Sequence, residues 1–287
     1  MSRDLGRRVS TAAGLVLAAL CLMWMVSGGG HWNAPRGGSL GQGDGTKKTG
    51  DAAPRLTGAG IVRWVSVPEL PQELVILESV FWEPADTDSL RQRIITSAGM
   101  RDSRVLEIGT GSGLLSLCCL RAGAAEVVAT DLNPAAIDNV RENARQMDWG
   151  ERLETRLVPR RDPGAWSVAG ANERFDYVIS NPPWEDRRPE SVSEFALYDP
   201  GFVLLQSLVS GARDHLRPGG RMWLAYGCRS AIEKILELSR EEGLECELLD
   251  ERRLEDLPEL FLPGMLIELR VGTGGGDGSS QTRGTSK

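Results

Sequence analysis

The chain has 287 residues, 41% of them hydrophobic and 25% charged, with a formal net charge of −7. That balance describes a globular chain and excludes a wholly disordered, collagen-like or polytopic membrane protein; its acidity disfavours gripping nucleic acid by bulk charge. Five Cys give no readable disulfide framework, and the two His, His31 and His215, are too far apart for a His-rich metal site or a Ser-His-Asp triad, so no metal is expected.

Arg3, Arg7 and Arg8 precede an apolar run from Ala12 to Val26. This order has the shape of a signal peptide or a short anchor. Fifteen helical residues span about 22 Å, against a bilayer core of about 30 Å. Residues 1–26 are therefore read as a signal-like or membrane-anchor segment, with 12–26 as a tether for a cytoplasm-facing domain. Residues 27–60 are rich in Gly, Pro and small polar side chains and read as a flexible linker. The tail 272–287 reads as disordered for the same reason: neither stretch buries enough apolar area to offset chain entropy.

One domain is expected over 61–271. Its first clear strand is 104–110, followed by a helix over 114–123 and a strand over 126–131. A helix over 134–147 carries Pro134 in its first turn. Strands follow at 153–158 and 175–180, then a helix over 202–216 that Arg217-Pro218-Gly219-Gly220 stops. A strand at 221–227, a helix over 231–243 and a closing strand pair at 244–251 and 264–271 complete the order. This alternation implies an α/β fold with a doubly wound, mostly parallel sheet and an antiparallel last strand.

Three motifs fall at strand ends. Gly109, Gly111 and Gly113 follow the first strand and let the backbone turn tightly against a ligand. Their G-x-G-x-G spacing departs from the dinucleotide fingerprint, which needs a glycine where Leu114 stands, so a pyrophosphate site is disfavoured. Glu107, just before the turn, suits a ligand with a positive end. The plain alternative is an ordinary strand–helix turn. Asp131 ends the second strand, 20 residues beyond Gly111, where a carboxylate can accept both hydroxyls of a ribose. It, or Asn133, could equally cap the helix at Pro134. Asn181-Pro182-Pro183-Trp184 directly follows the fourth strand. An Asn amide oxygen and the Pro182 carbonyl can accept the two N–H bonds of a planar NH2 group, and Trp184 can stack on it. A Pro-rich loop with a core Trp is the plain alternative.

Together these motifs resemble the class I S-adenosylmethionine-dependent methyltransferases that carry an (N/D)PP(Y/F/W) motif and methylate nitrogen. Within them the chain is similar to the HemK/PrmC family, which methylates a glutamine of peptide-chain release factors. The resemblance runs through SVFWEPADTDSL, with Asp86-Thr87-Asp88 in place of that family's E-T-E, through DLNPAAIDNVRENA, through NPPW for the usual NPPY, and through EFALYDPGFVLLQSLVSGARDHLRPGG. It implies a seven-stranded Rossmann-like methyltransferase fold and S-adenosylmethionine as cofactor. The cofactor would be held by Glu107, Gly109, Thr110 and Gly111, then by Gly113, Asp131, Leu132 and Asn181. Asn181, Pro182 and Trp184 would act on the acceptor. The implied acceptor is a protein glutamine; a base amine of RNA or DNA, and a non-catalytic cofactor-binding module, are the alternatives. That family also carries an N-terminal helical substrate domain, where this chain has the apolar run and the Gly-rich linker. Around these motifs, Asp162 is weighed between an adenine contact and a solvated turn, Arg187 and Arg188 between an acidic or nucleic-acid substrate and a solvated loop, and Cys118 and Cys119 are read as core.

Overall fold

Burial along the strands alternates between two faces, and both faces are covered. On β3 (Arg104–Ile108) Val105 packs into one core and Leu106 into the other; on β6 (Phe175–Ser180) Tyr177 and Ile179 face the first core and Val178 the second. Such strands can form only a central sheet between helical layers. The computed structural model describes residues 60–191 and 193–272. The expected tether at 12–26, nearly all of the linker and nearly all of the tail lie outside the described residues. Among the described residues no helix is long and apolar enough to cross a membrane.

Between β3 and β6 the chain forms α2 (Leu114–Arg121), β4 (Glu126–Asp131), α3 (Pro134–Gln146) and β5 (Leu153–Leu157). After β6 come α4 (Val203–His215), β7 (Leu216–Cys228), α5 (Arg229–Glu241), β8 (Leu244–Leu248) and β9 (Leu260–Val271). The sheet order is β5-β4-β3-β6-β7-β9-β8, and β9 runs antiparallel to both neighbours. The last strand is thus the single reversed one, inserted between β7 and β8. One core holds α4 and α5; the other holds α2, part of α3 and α1 (Asp88–Thr96). Successive connections leave β3 in opposite directions, toward β4 on one side and later toward β6 on the other. The crevice beyond the carboxyl ends of β3 and β6 is therefore the topological switch point, where open α/β sheets take ligands.

Ahead of this sheet, β1 (Ile61–Val65) and β2 (Leu74–Leu77) form an antiparallel hairpin. Two asparagines one helical turn apart on α3 dock it. Asn139 accepts from the Leu77 N–H at 2.7 Å and donates to Val75 O and Ser112 O, both at 3.0 Å. Asn143 accepts from the Val75 N–H at 2.8 Å and donates to the same two carbonyls. Both side chains are fully buried, so these bonds satisfy strand groups that would otherwise be stranded away from water. Replacing Asn139 by Ala leaves the Leu77 N–H unpaired, a cost of about 1–3 kcal/mol. Thermal unfolding of the Asn139→Ala variant is expected at a lower temperature, with faster hydrogen exchange at Leu77; an unchanged melt and unchanged exchange would contradict the docking role.

Candidate functional site

The β3–α2 turn is built by glycines that other residues could not replace. Gly113 has φ +85°, and a Cβ there would lie 2.6 Å from the Val140 side chain, so only glycine lets α2 start so close to α3. Gly109 also has positive φ, but its missing side chain faces open space, the cleft itself. The turn is anchored by the N–H groups of Gly109 and Thr110, both of which donate to Thr130 O at 2.9 Å.

Two carboxylates hold this turn. Glu107 is buried, and its Oε2 accepts from Thr110 Oγ1 at 2.7 Å, from the Ser116 N–H at 3.1 Å and from the Ser116 hydroxyl. Burial pushes its carboxyl up to about 7, against the opposing pull of the Ser116 and Thr110 hydrogen bonds. Asp131 accepts from the Gly111 N–H on one oxygen and from the Asn133 N–H on the other, both at 2.8 Å. Burial raises its carboxyl as well, while these backbone N–H groups hold it down. Asn133, and not Asp131, caps α3: its Oδ1 accepts from the Ala135 N–H at 3.0 Å. The Leu132 N–H also favours the Asp131 carboxylate, so more than half of its four lone-pair sites are engaged within the protein.

From the other side of the switch point, β6 delivers Asn181, Pro182 and Pro183 to the same cleft, tied below by the Ser180 hydroxyl on Ile108 O at 2.6 Å. The Asn181 Oδ1 is buried and has no hydrogen-bond partner. Its side-chain amide helps to hold down the carboxyl of Asp86, which burial first and the nearby Glu83 charge second push up to about 7. Glu107, Gly109, Thr110, Gly111, Asp131, Leu132 and Asn181 all line one cleft of about 420 Å³, a size suited to a cofactor-scale ligand.

Trp184 departs from expectation. Its ring sits in a slot where Gly227 on β7 and Gly264 on β9 carry no side chain; a Cβ on Gly227 would lie 2.3 Å from it. Its Nε1–H donates to Ala225 O at 3.2 Å. The indole thereby packs in the core and is not among the residues that line the cleft, unlike the stacking position expected for it. The aromatic wall comes instead from Phe81, Trp82, Phe195 and Tyr198. Phe81 and Trp82 lie in the SVFWEP segment and Phe195 and Tyr198 in the EFALYDP segment, both of which the sequence marked by resemblance without assigning these residues a role. Arg187 lies over the Tyr198 ring at 4.5 Å and donates to its hydroxyl at 3.1 Å. Arg160, Arg161 and Asp162 are exposed, as a solvated turn would be, while the adjoining Pro163 and Gly164 line the cleft. Cys118 and Cys119 are fully buried in the core.

The raised carboxyls carry a pH signature. In the unfolded chain a Glu releases its proton near 4.5, whereas folded Glu107 keeps it up to about 7. Between those values the folded state binds more protons, so stability is greatest below about 4.5 and falls as pH rises through about 7, by an amount on the order of 3 kcal/mol. Asp86 adds to the loss over a similar window. Chemical denaturation of Glu107→Gln across pH 4 to 8 is expected to show a shallower decline than wild type; parallel curves would contradict it.

The chain matches the family described as Methyltransferase small domain over residues 86–243. It is 36% identical over 181 residues to a release factor glutamine methyltransferase of Cereibacter sphaeroides, a match covering 58% of this chain and 59% of that one. It is 34% identical over 158 residues to a release factor glutamine methyltransferase of Bordetella pertussis, covering 51% and 55%. A ribosomal protein L11 methyltransferase of Chromohalobacter salexigens is 30% identical over 142 residues, covering 50% and 39%. The chain therefore spans between 39% and 59% of the length of these curated relatives. With a glycine turn, an acidic strand tip and an NPP loop converging at the switch point of a seven-stranded sheet, and with more than half its length matched, the chain belongs to the methyltransferase small domain family.

Proposed function

We propose that this chain is an S-adenosylmethionine-dependent N-methyltransferase whose acceptor is the side-chain amide of a protein glutamine, as in the release factor enzymes it resembles. The observation that carries this reading is the buried, partnerless Oδ1 of Asn181 beside the cleft. A buried acceptor of this kind costs free energy until an N–H reaches it. The residues present fit the cofactor. Gly109 opens onto free space, Asp131 has acceptor capacity left for a ribose hydroxyl, and the acidic cleft residues Glu83, Glu107, Asp131 and Asp199 suit a ligand with net positive charge.

When bound, S-adenosylmethionine supplies a sulfonium methyl that is electrophilic without activation by the protein. The work left to the chain is placement. Asn181 Oδ1 and the Pro182 carbonyl would accept the two N–H bonds of the acceptor, turning the nitrogen lone pair toward the methyl and favouring its localisation in the transition state. Pro182 and Pro183 stiffen the loop that holds both oxygens. The acceptor nitrogen becomes acidic as it is alkylated, so no strong base is needed.

The same lining argues for a neutral amide over a nucleic-acid base. An RNA or DNA acceptor brings phosphates, and no Lys, Arg or His stands among the described lining residues. Incubation with methyl-labelled cofactor and a recombinant release factor, followed by mass spectrometry, is expected to place one methyl group on a glutamine. Label found only in RNA, or a chain that ignores the cofactor in calorimetry, would defeat the proposal. Asn181→Ala should lower turnover by roughly 100-fold or more, the scale for a lost charge-stabilising contact, with cofactor affinity little changed. Equal losses in both would remove Asn181 from its assigned role. Because a cation beside Glu107 favours its ionised form, cofactor binding should release protons at and below pH 7 and tighten as pH rises. Calorimetry in two buffers of different ionisation enthalpy reads this directly, and a proton count of zero would exclude Glu107 as the group sensing the cation.

A further inference from the structure

A short loop that presents two oxygens to an acceptor needs both of its ends fixed, because fixing one leaves the other free to swing. Asn181, Pro182 and Pro183 form such a loop, the three residues between Ser180 and Trp184. We propose that Trp184 is a positioning residue for the transfer: its indole is the far anchor of this loop, and through that anchor Asn181 Oδ1 and the Pro182 carbonyl keep their places at the cleft. This inference rests on the reading of Asn181 and Pro182 as the acceptor-binding groups.

The near anchor is the buried Ser180 hydroxyl, which donates to Ile108 O at the end of β3 at 2.6 Å. The far anchor is on the opposite side of β6. There the Trp184 Nε1–H donates to Ala225 O of β7 at 3.2 Å. The six-membered part of the indole enters the slot left by two glycines. A Cβ on Gly264 would lie 3.3 Å from its Cζ2, and one on Gly227 would run into its Cζ3 and Cη2. The loop is thus clamped to the strands on both sides of the one that delivers it. Between the clamps Pro182 and Pro183 have fixed φ, so few torsions are left free.

The same anchor reaches a second wall of the cleft. The main-chain N–H groups of Trp184 and Glu185 both donate to Leu197 O at 3.2 Å, and the Asp199 N–H donates back to Glu185 O at 2.8 Å. Tyr198, held between these bonds, lines the cleft, as do Ala196 and Asp199. Trp184 is buried and is not among the lining residues, so it acts on the acceptor only through the main chain on either side of it. A tryptophan that merely filled the core would contribute stability and nothing else. An anchor also sets the turnover of the enzyme that remains folded.

The test uses the full chain, at a temperature where each variant is folded. Trp184→Ala removes the anchor. Trp184→Phe keeps a ring that still enters the slot but loses the Nε1–H bond. Phe175→Leu is the control: it trims a fully buried ring of the same core at the other end of β6. Hydrogen exchange is read by mass spectrometry on peptides from 181–201, which carry the amides of Trp184, Glu185 and Asp199. Exchange there is expected to speed up at least several-fold in Trp184→Ala, less in Trp184→Phe, and not at all in Phe175→Leu. With a recombinant release factor at saturating concentration, kcat should fall by about 100-fold in Trp184→Ala, the scale for a misplaced reacting group, and by less in Trp184→Phe. Cofactor affinity should be unchanged in both, and Phe175→Leu should lower the melting temperature while leaving kcat as in wild type. Wild-type kcat or wild-type exchange in folded Trp184→Ala would overturn the proposal, as would an equal loss of kcat in Phe175→Leu or a parallel loss of cofactor affinity. Should Trp184→Ala not fold, Trp184→Phe decides: a lower kcat with faster exchange supports the anchor, and wild-type values of either overturn it. A wild-type chain that leaves the release factor unmethylated would count against the acceptor reading, while the exchange data would still decide whether the indole anchors the loop.

Discussion

The structure turns on a pair of carboxylates, the buried Glu107 and the partly buried Asp131, holding a glycine turn open. Glu107 at the end of β3 draws in Thr110 and Ser116; Asp131 at the end of β4 draws in the Gly111 N–H. Without these bonds, three consecutive positive-φ glycines at alternate positions would leave the segment from Ile108 to Leu114 free to sample many shapes, and the start of α2 would lose its place. The two acids are thus structural before they are ligand-facing. Their lone pairs are shared between the turn and the cleft, and desolvation raises both carboxyls because the turn covers them. A cation arriving at the cleft would relieve that cost, so an unfavourable feature of the isolated fold becomes a source of affinity.

Much of this was legible in the residues because it is local. Strands β3 to β9 follow runs of β-branched and aliphatic residues; most lie within a few residues of their expected bounds, but β7 starts at Leu216, five residues early, and takes in the Arg217–Gly220 segment read as a stop. Pro134 begins α3 as its position in the sequence implied. The glycine turn, Asp131 and Asn181 converge because parallel strands place consecutive carboxyl ends on one edge, a consequence of topology that the alternation of elements already contains. The unread parts depend on contacts far apart in the chain. In β1, IVRWV is mostly exposed and lacks a clear alternation, and β2 is paired on one edge by β1 and on the other by Asn139 and Asn143 of a distant helix. Trp184 carries no mark in its own neighbourhood that it belongs to the core. The slot that takes it is made by Gly227 and Gly264, on strands formed much later.

One mechanical unit joins these distant pieces. Helix α3 grips the hairpin through Asn139 and Asn143, and at its other end Asn133 caps the helix with Oδ1 while its Nδ2 donates to Ser79 O at 2.9 Å. Ser79 has φ +63°, a conformation that a non-glycine residue adopts only when its surroundings hold it there. The hold therefore passes from the strand tip that bears Asp131, through Asn133, to the segment that follows β2. That segment is the one that contributes Phe81 and Trp82 to the cleft wall and then turns at Pro84–Thr87. The side of the cleft read as holding cofactor and the side read as holding acceptor are consequently set by one helix. A shift of α3 would move the carboxylate over the ribose position and, through the hairpin, the wall around the acceptor together. The two fully buried asparagines thus do more than satisfy a strand whose Leu74, Val75, Ile76 and Leu77 are all buried: they tie that strand to the helix that begins beside Asp131.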